Sequence, residues 1–263
     1  QMCIRDRGKD AFKLMDDVKN INLSIKDLDE KVEGLENIIH TKLLGIPNIP
    51  DENIPAGVDE LNNRFIREWG DKPNFSTQPL NHVELGERLG LIDLKRAAKI
   101  SGARFAVYRG VGAALLRALI NFMIDVHTQE NGYEELYPPF LVNEVSLQGT
   151  GQLPKFGEEL FAMRDDPLFL IPTAEVPVTN FHRAEILEEE SLPICYTAYT
   201  PCFRREAGSY GKDTQGLIRQ HQFDKVELVK FSRVNESERE LERLVKDAEL
   251  ILKKLKLHYI VME

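Results

Sequence analysis

The sequence predicts an α+β fold, with a mainly antiparallel sheet flanked by helices and preceded by a coiled-coil helix. Three observations carry that expectation. Runs of strand-forming residues in the second half are separated by turns and loops, with helical patterns outside the run. There is no Gly-x-Gly-x-x-Gly and no Gly-Lys-Ser/Thr loop, so neither parallel-sheet nucleotide fold is supported. Near the N-terminus Leu14, Val18, Ile21, Ile25, Leu28, Val32, Leu35 and Ile39 recur in alternating steps of four and three, the heptad pattern of a coiled coil.

Element by element, the first seven residues, "QMCIRDR", stand outside any pattern and resemble translated adaptor sequence, a non-native leader. Residues 8–44 form the heptad helix, whose narrow apolar seam must lie against a partner. Residues 45–57, with Pro47, Pro50 and Pro55, cannot continue a helix and read as a linker, leaving 58–263 as a second domain. There "HVELGERLGLIDLKRAAKISG" reads as a short helix and turn, and "RFAVYRG" as a strand. A long apolar helix, "AALLRALINFMIDVHTQENG", is expected to end at Gly132 as its C-cap. In "YEELYPPFLV", Pro138 and Pro139 exclude a central ladder position. "LFLIPTAEVP", "ICYTAYTPCFRRE" and "IRQHQFDKVELVKF" read as strands, "ESERELERLVKDAELILKKL" as an amphipathic helix, and "LHYIVME" as the start of another strand. The abrupt stop there suggests a fragment.

Composition narrows the function classes. With 263 residues and 42% hydrophobic content the chain can bury a full core. No apolar run is expected to reach the ~18 residues that span a bilayer, which makes the cytoplasm the default location and a membrane partner unexpected. Cys3, Cys195 and Cys202 form neither a disulfide framework nor a Cys-x-x-Cys pair, so no metal site is expected within the chain. The net charge of −9 disfavours indiscriminate nucleic-acid binding, so any such contact must be local.

Chemistry concentrates in "CFRREAGSYGKDTQGLIRQHQFDKVELV". As a strand, loop and returning strand, it puts Arg204 and Glu206 on one face, and Arg219, His221, Phe223, Lys225 and Glu227 on one face of the return. An Arg fork can hold a phosphate, a Phe can stack on a purine, and a carboxylate can receive an ammonium or exocyclic amine. The loop "AGSYGKDTQG", with three glycines and Lys212, is suited to approach a ligand or a nucleic-acid backbone. A solvated hairpin with cross-strand ion pairs would read the same way. In "IPTAEVP", Thr173 and Glu175 share one face of an extended run stiffened by Pro172 and Pro177. That pair suits a small hydroxylated amine, and equally an exposed edge strand.

From about Asn53 onward the chain resembles the bacterial-type seryl-tRNA synthetase family, class II aminoacyl-tRNA synthetases. "PCFRREAGSYGKDTQGLIRQHQFDKVELV" is similar to that family's motif 2, "IPTAEVP" to its serine-contacting strand, and "GYEELYPPFLV" to motif 1 of its dimer interface. "GTGQLPKF" is similar to another family segment, and the heptad helix to the returning half of the antiparallel arm that grips tRNA. The resemblance implies a class II catalytic core, ATP and Mg2+ as cofactors, L-serine and tRNA(Ser) as partners with tRNA(Sec) a further one, and a homodimer. It implies Arg204 on the α-phosphate of ATP, Glu206 on the adenine amino group, Phe223 stacked on adenine and Arg219 at the outer phosphates. Thr173 and Glu175 would line the serine site, Glu227 would hold the serine ammonium, and Pro139 would lie at the dimer interface. His221 and Lys225 receive no role. The family's first arm helix and motif 3 have no counterpart here, so the chain itself is expected to be inactive. Rival readings are a catalytically inactive tRNA-binding relative, an amino acid:carrier-protein ligase, and an interaction module built on the heptad helix.

Overall fold

The computed structural model describes residues 9–207 and 216–263. The "QMCIRDR" leader and most of the "AGSYGKDTQG" loop, Lys212 included, lie outside the described residues. The chain divides into two units, 1–49 and 50–263.

The first unit is α1, Lys9–Leu43, a 35-residue helix roughly 50 Å long at 1.5 Å per residue. Its charged flank carries a Lys31–Asp27 pair one turn apart, at 2.7 Å. The seam from Leu14 to Ile39 is exposed along its whole length.

In the second unit the elements run β1 (Phe65–Trp69), α2 (His82–Arg88), α3 (Leu94–Ser101), α4 (Val111–Gln129), β2 (Glu134–Glu135), β3 (Leu141–Asn143) and α5 (Glu144–Gly149). They continue with β4 (Leu168–Leu170), α6 (Glu175–Asn180), β5 (Ile194–Phe203), β6 (Gln222–Phe231), α7 (Ser237–Lys254) and β7 (Tyr259–Met262). The fold is α+β, with a mixed central sheet in the order β2-β5-β6. β5 and β6 pair antiparallel over ten residues, from Ile194↔Phe231 to Phe203↔Gln222, whereas β2 lies parallel to β5 at Tyr196 and Thr197. The expectation of a mainly antiparallel sheet is corrected at that edge. β2 enters from α4 rather than from a hairpin, so nothing obliges it to run against β5. Among the described residues, β5 has β6 as its only ladder partner beyond Thr197, which lets Pro201 sit in the strand without its missing N–H breaking a second ladder.

β3–β4 and β1–β7 are separate antiparallel pairs. The β1–β7 pair is extended by Arg64 and Glu263, which exchange backbone hydrogen bonds of 2.9 and 2.7 Å. The core lies in two clusters. One gathers Val142, Leu147, Leu160, Ile171 and Val176 around α5 and α6, and the other joins Ala174 and Val178 to Tyr196 and Ala198 on β5.

α7 is held to the sheet by a charged set centred on the buried Lys230 and Glu240. Lys230, 7% exposed at its side chain, meets Asp247 at 3.1 Å and Glu240 at 3.5 Å, and Arg243 meets Glu240 at 2.9 Å. Tyr133 donates its hydroxyl to Asp247 (2.8 Å). Burial first, then that carboxylate, push the Tyr133 phenol far above its usual range.

Four local expectations fail for physical reasons. "RFAVYRG" is not a strand: it makes a single bridge, Ile92↔Tyr108, because Arg104 turns at φ +64° and, among the described residues, no second strand lies alongside. The C-cap of α4 is Glu130, with Gly132 two residues on at φ +73°. α4 is, against expectation, long and apolar enough by length and composition to cross a bilayer; it packs on β5, β6 and α7. "IPTAEVP" is not extended, since α6 begins at Glu175 and Pro177 falls in its first turn, where a proline removes no helical hydrogen bond.

α4 also crosses the backbone at Leu91 closely. A Cβ on Gly112 would lie 2.3 Å from the Leu91 carbonyl oxygen, a contact that side-chain repacking cannot relieve. Gly112→Ala is therefore expected to destabilise by about 1–3 kcal/mol, lowering the thermal midpoint by several degrees. An unchanged midpoint would show that the α4 crossing is not under this constraint.

Candidate active site

The candidate residues meet on one face of the β5–β6 hairpin and around the turn that enters α6. On β6, alternate side chains Phe223, Lys225 and Glu227 point the same way. Opposite them is Thr173, 3% exposed, in the turn between β4 and α6. Its hydroxyl donates to Glu227 Oε2 (2.6 Å) and accepts from Lys225 Nζ (2.7 Å), while Lys225 also pairs with the Glu227 carboxylate. The backbone N–H of Glu175 reaches the same hydroxyl at 3.3 Å. Glu175 itself is exposed at the start of α6, so it does not share an extended face with Thr173.

One step along the sheet, Arg204 follows the last residue of β5. Its Nε donates to the Pro172 carbonyl (3.1 Å), and its guanidinium lies over the Phe223 ring, 5.3 Å from the centroid. Pro172 and Thr173 are neighbours, as are Phe223 and Lys225 on one strand face, so the Arg204–Phe223 pair adjoins the Thr173–Lys225–Glu227 set. The hydrogen bond to Pro172 uses Nε, one of the five N–H donors of the guanidinium.

The strand-face reading of Arg204, Glu206, Arg219 and His221 is corrected. β5 ends at Phe203 and β6 begins at Gln222, so all four fall outside the ladder. Glu206 takes φ +51°, which breaks strand alternation, and its carboxylate meets Arg219 Nη1 at 3.3 Å. Glu206 and Arg219 are therefore together, joined by an ion pair instead of a shared pleat.

Several contacts around these residues are absent from the sequence reading. His221 donates from Nδ1 to the Arg204 carbonyl (3.0 Å), accepts the packing of the Phe105 and Phe161 rings, and receives its backbone support from Arg104, whose carbonyl takes the His221 N–H at 2.9 Å. Glu159 Oε2 accepts from the Ala207 N–H (3.0 Å), and Arg104 Nη1 donates to the Glu206 carbonyl (3.0 Å). His221 and Lys225 had a signal in the sequence, their alternation with Phe223 and Glu227; Glu159 and Arg104 act through long-range contacts. Pro139 lies apart, exposed in the segment between β2 and β3.

Among the described residues neither cysteine is primed as a covalent nucleophile. Cys202, opposite Phe223 in the β5–β6 ladder, is fully buried, and burial pushes its thiol up, as it does for Cys195. Among the described residues no group of three or more His, Cys, Asp or Glu side chains comes together as a metal cage. The arrangement instead offers a carboxylate and hydroxyl for a small ammonium, next to a guanidinium on an aromatic ring.

Comparison with known proteins follows the same lines. The family of the tRNA synthetase class II core domain (G, H, P, S and T) matches residues 160–263. The serine--tRNA ligase of Syntrophobacter fumaroxidans is 56% identical over 259 residues, covering 98% of this chain and 61% of that protein. The serine--tRNA ligase of Geobacter sulfurreducens is 53% identical over 260 residues, covering 99% and 61%. The chain thus spans about three-fifths of the length of the curated relatives it matches. The crystal structure of seryl-tRNA synthetase from Pyrococcus horikoshii complexed with ATP superposes with a TM-score of 0.90 at 35% identity, covering 98% of this chain and 62% of that one. The cytoplasmic serine-tRNA ligase of Naegleria fowleri in complex with AMP gives 0.82 at 30% identity, covering 90% and 57%.

Proposed function

The chain belongs by homology to the bacterial-type class II seryl-tRNA synthetases, and from that premise we propose that the protein activates L-serine with ATP and transfers it to tRNA(Ser), with tRNA(Sec) as a further acceptor. The observation that carries this reading is the adjacency of the Thr173–Lys225–Glu227 set to the Arg204–Phe223 pair. Glu227 takes the serine ammonium, Thr173 and Glu175 line the serine pocket, and Phe223 stacks on adenine. Arg204 reaches the α-phosphate with its terminal nitrogens, Glu206 accepts from the adenine amino group, and Arg219 meets the outer phosphates.

In the first step a serine carboxylate oxygen attacks the α-phosphorus in line; the new P–O bond forms as the bond to pyrophosphate breaks. Charge developing on the α-phosphoryl oxygens is met by Arg204 in a geometry fixed beforehand by Pro172 and Phe223. In the second step a terminal ribose hydroxyl of tRNA attacks the seryl carbonyl carbon and AMP leaves. Magnesium would arrive on the ATP phosphates and would offset their charge there. Residues 8–44 serve as half of a coiled-coil tRNA arm, 45–57 as its linker, and 58–263 as catalytic domain. The protein works in the cytoplasm as a homodimer with Pro139 at the interface.

The deciding experiment is serine-dependent exchange of labelled pyrophosphate into ATP by the product of the complete reading frame. Exchange that requires serine supports the reading; exchange absent, or indifferent to serine, rejects it. Phe223→Ala should raise the KM for ATP about tenfold, on ~1–1.5 kcal/mol of lost stacking, and change the KM for serine much less. Equal effects on both substrates would count against stacking on adenine.

A further inference from the structure

The return leg that carries Arg219 is fastened at a point the proposed reaction does not use. His82 opens α2, whose N-terminus is capped by Asn81 Oδ1, accepting from the N–H groups of Val83 and Glu84 at 3.0 Å each. The His82 Nε2 in turn accepts the backbone N–H of Leu217 at 2.9 Å, which places the ring proton on Nδ1. The neighbouring residue is Gly216, at φ +76°, and its backbone lies against the ring. A Cβ there would fall 2.2 Å from His82 Nε2 and 2.5 Å from Val83 Cγ2. The backbone angle favours glycine, and a side chain there would also have to displace the His82 ring and the Val83 methyl.

Two further fixed points follow on the same leg. Gln220, 8% exposed, donates from Nε2 to the Leu217 carbonyl (3.1 Å), and the His221 N–H bonds to the Arg104 carbonyl (2.9 Å). Arg219 sits between these anchors, and its guanidinium reaches Glu206. Removing the first anchor frees the backbone two residues before Arg219 while leaving the β5–β6 ladder and the Thr173–Lys225–Glu227 set untouched.

We infer that His82 is a positioning residue for the ATP side of the site: as a neutral hydrogen-bond acceptor on α2 it fixes the backbone that aims Arg219. This rests on the synthetase reading above. The test compares wild type, His82→Ala and His82→Gln in the product of the complete reading frame, by steady-state pyrophosphate exchange with ATP and serine varied in turn. His82→Ala removes the acceptor; His82→Gln keeps a carbonyl oxygen at similar reach. The expected result is a KM for ATP raised about tenfold in His82→Ala, the scale of one lost hydrogen bond, with the KM for serine within about twofold and near-wild-type values restored in His82→Gln. An unchanged KM for ATP in His82→Ala, with wild type active, overturns the inference alone. So does a uniform loss of activity and thermal midpoint that His82→Gln fails to restore, because that would make His82 a structural anchor only. A wild-type protein without serine-dependent exchange overturns the functional reading and this inference with it.

Discussion

Glu227→Ala is expected to lower kcat/KM for serine in pyrophosphate exchange by about 10²–10⁴-fold, with the KM for ATP little changed. Two charge-assisted contacts at ~1.5–3 kcal/mol each set that scale. The substitution also leaves Lys225 without its carboxylate, so a cation faces the incoming serine ammonium, and the buried Thr173 hydroxyl loses its acceptor. Glu227→Gln separates these effects. It keeps an oxygen for Thr173 and is expected to fold as wild type does, yet still to lose most serine affinity. Adenylate formation at the wild-type rate in either variant would reject Glu227 as the ammonium site.

Arg204→Ala is expected to reduce kcat by about 10²–10³-fold, the usual cost of deleting a preorganised donor aimed at developing charge. Arg204→Lys should recover little. An ammonium cannot hold the Pro172 carbonyl through one nitrogen, cover the Phe223 ring and still present a planar fork to phosphate. Single-turnover adenylate formation at saturating ATP is the direct measurement. A raised KM for ATP with kcat intact would mean that Arg204 binds ATP without selectively stabilising the transition state.

Legibility in the sequence followed the range of the interactions. The β5–β6 strands, α7 and β7 were readable because their alternation or helical periodicity is a local property of the chain. "RFAVYRG" was misread because strand propensity needs a neighbouring strand, and its nearest backbone, around Ile92, offers one bridge. "IPTAEVP" was misread because two prolines suggested extension, whereas Pro177 in a first helical turn costs nothing. Within the site, Phe223 and Glu227 were placed by alternation alone. The pairing of Glu206 with Arg219 depends on a left-handed residue that no periodicity announces, and the setting of His221 depends on Phe105 and Phe161 from distant segments. Lys225 lay between both cases: its face was legible, but its bond to Thr173 spans 52 positions.

The β1–β7 pair imposes a schedule on the molecule as it is made. Arg64 and Glu263 are 199 positions apart, so β1 leaves the ribosome long before its partner exists. At ~5–20 residues per second the wait is on the order of 10–40 s. Through that interval Phe65, Ile66 and Trp69 lie on a strand with an unpaired edge, the kind of surface that recruits other chains. Arg64, Arg67 and Glu68, interleaved with them, put charge along that edge while it stands open.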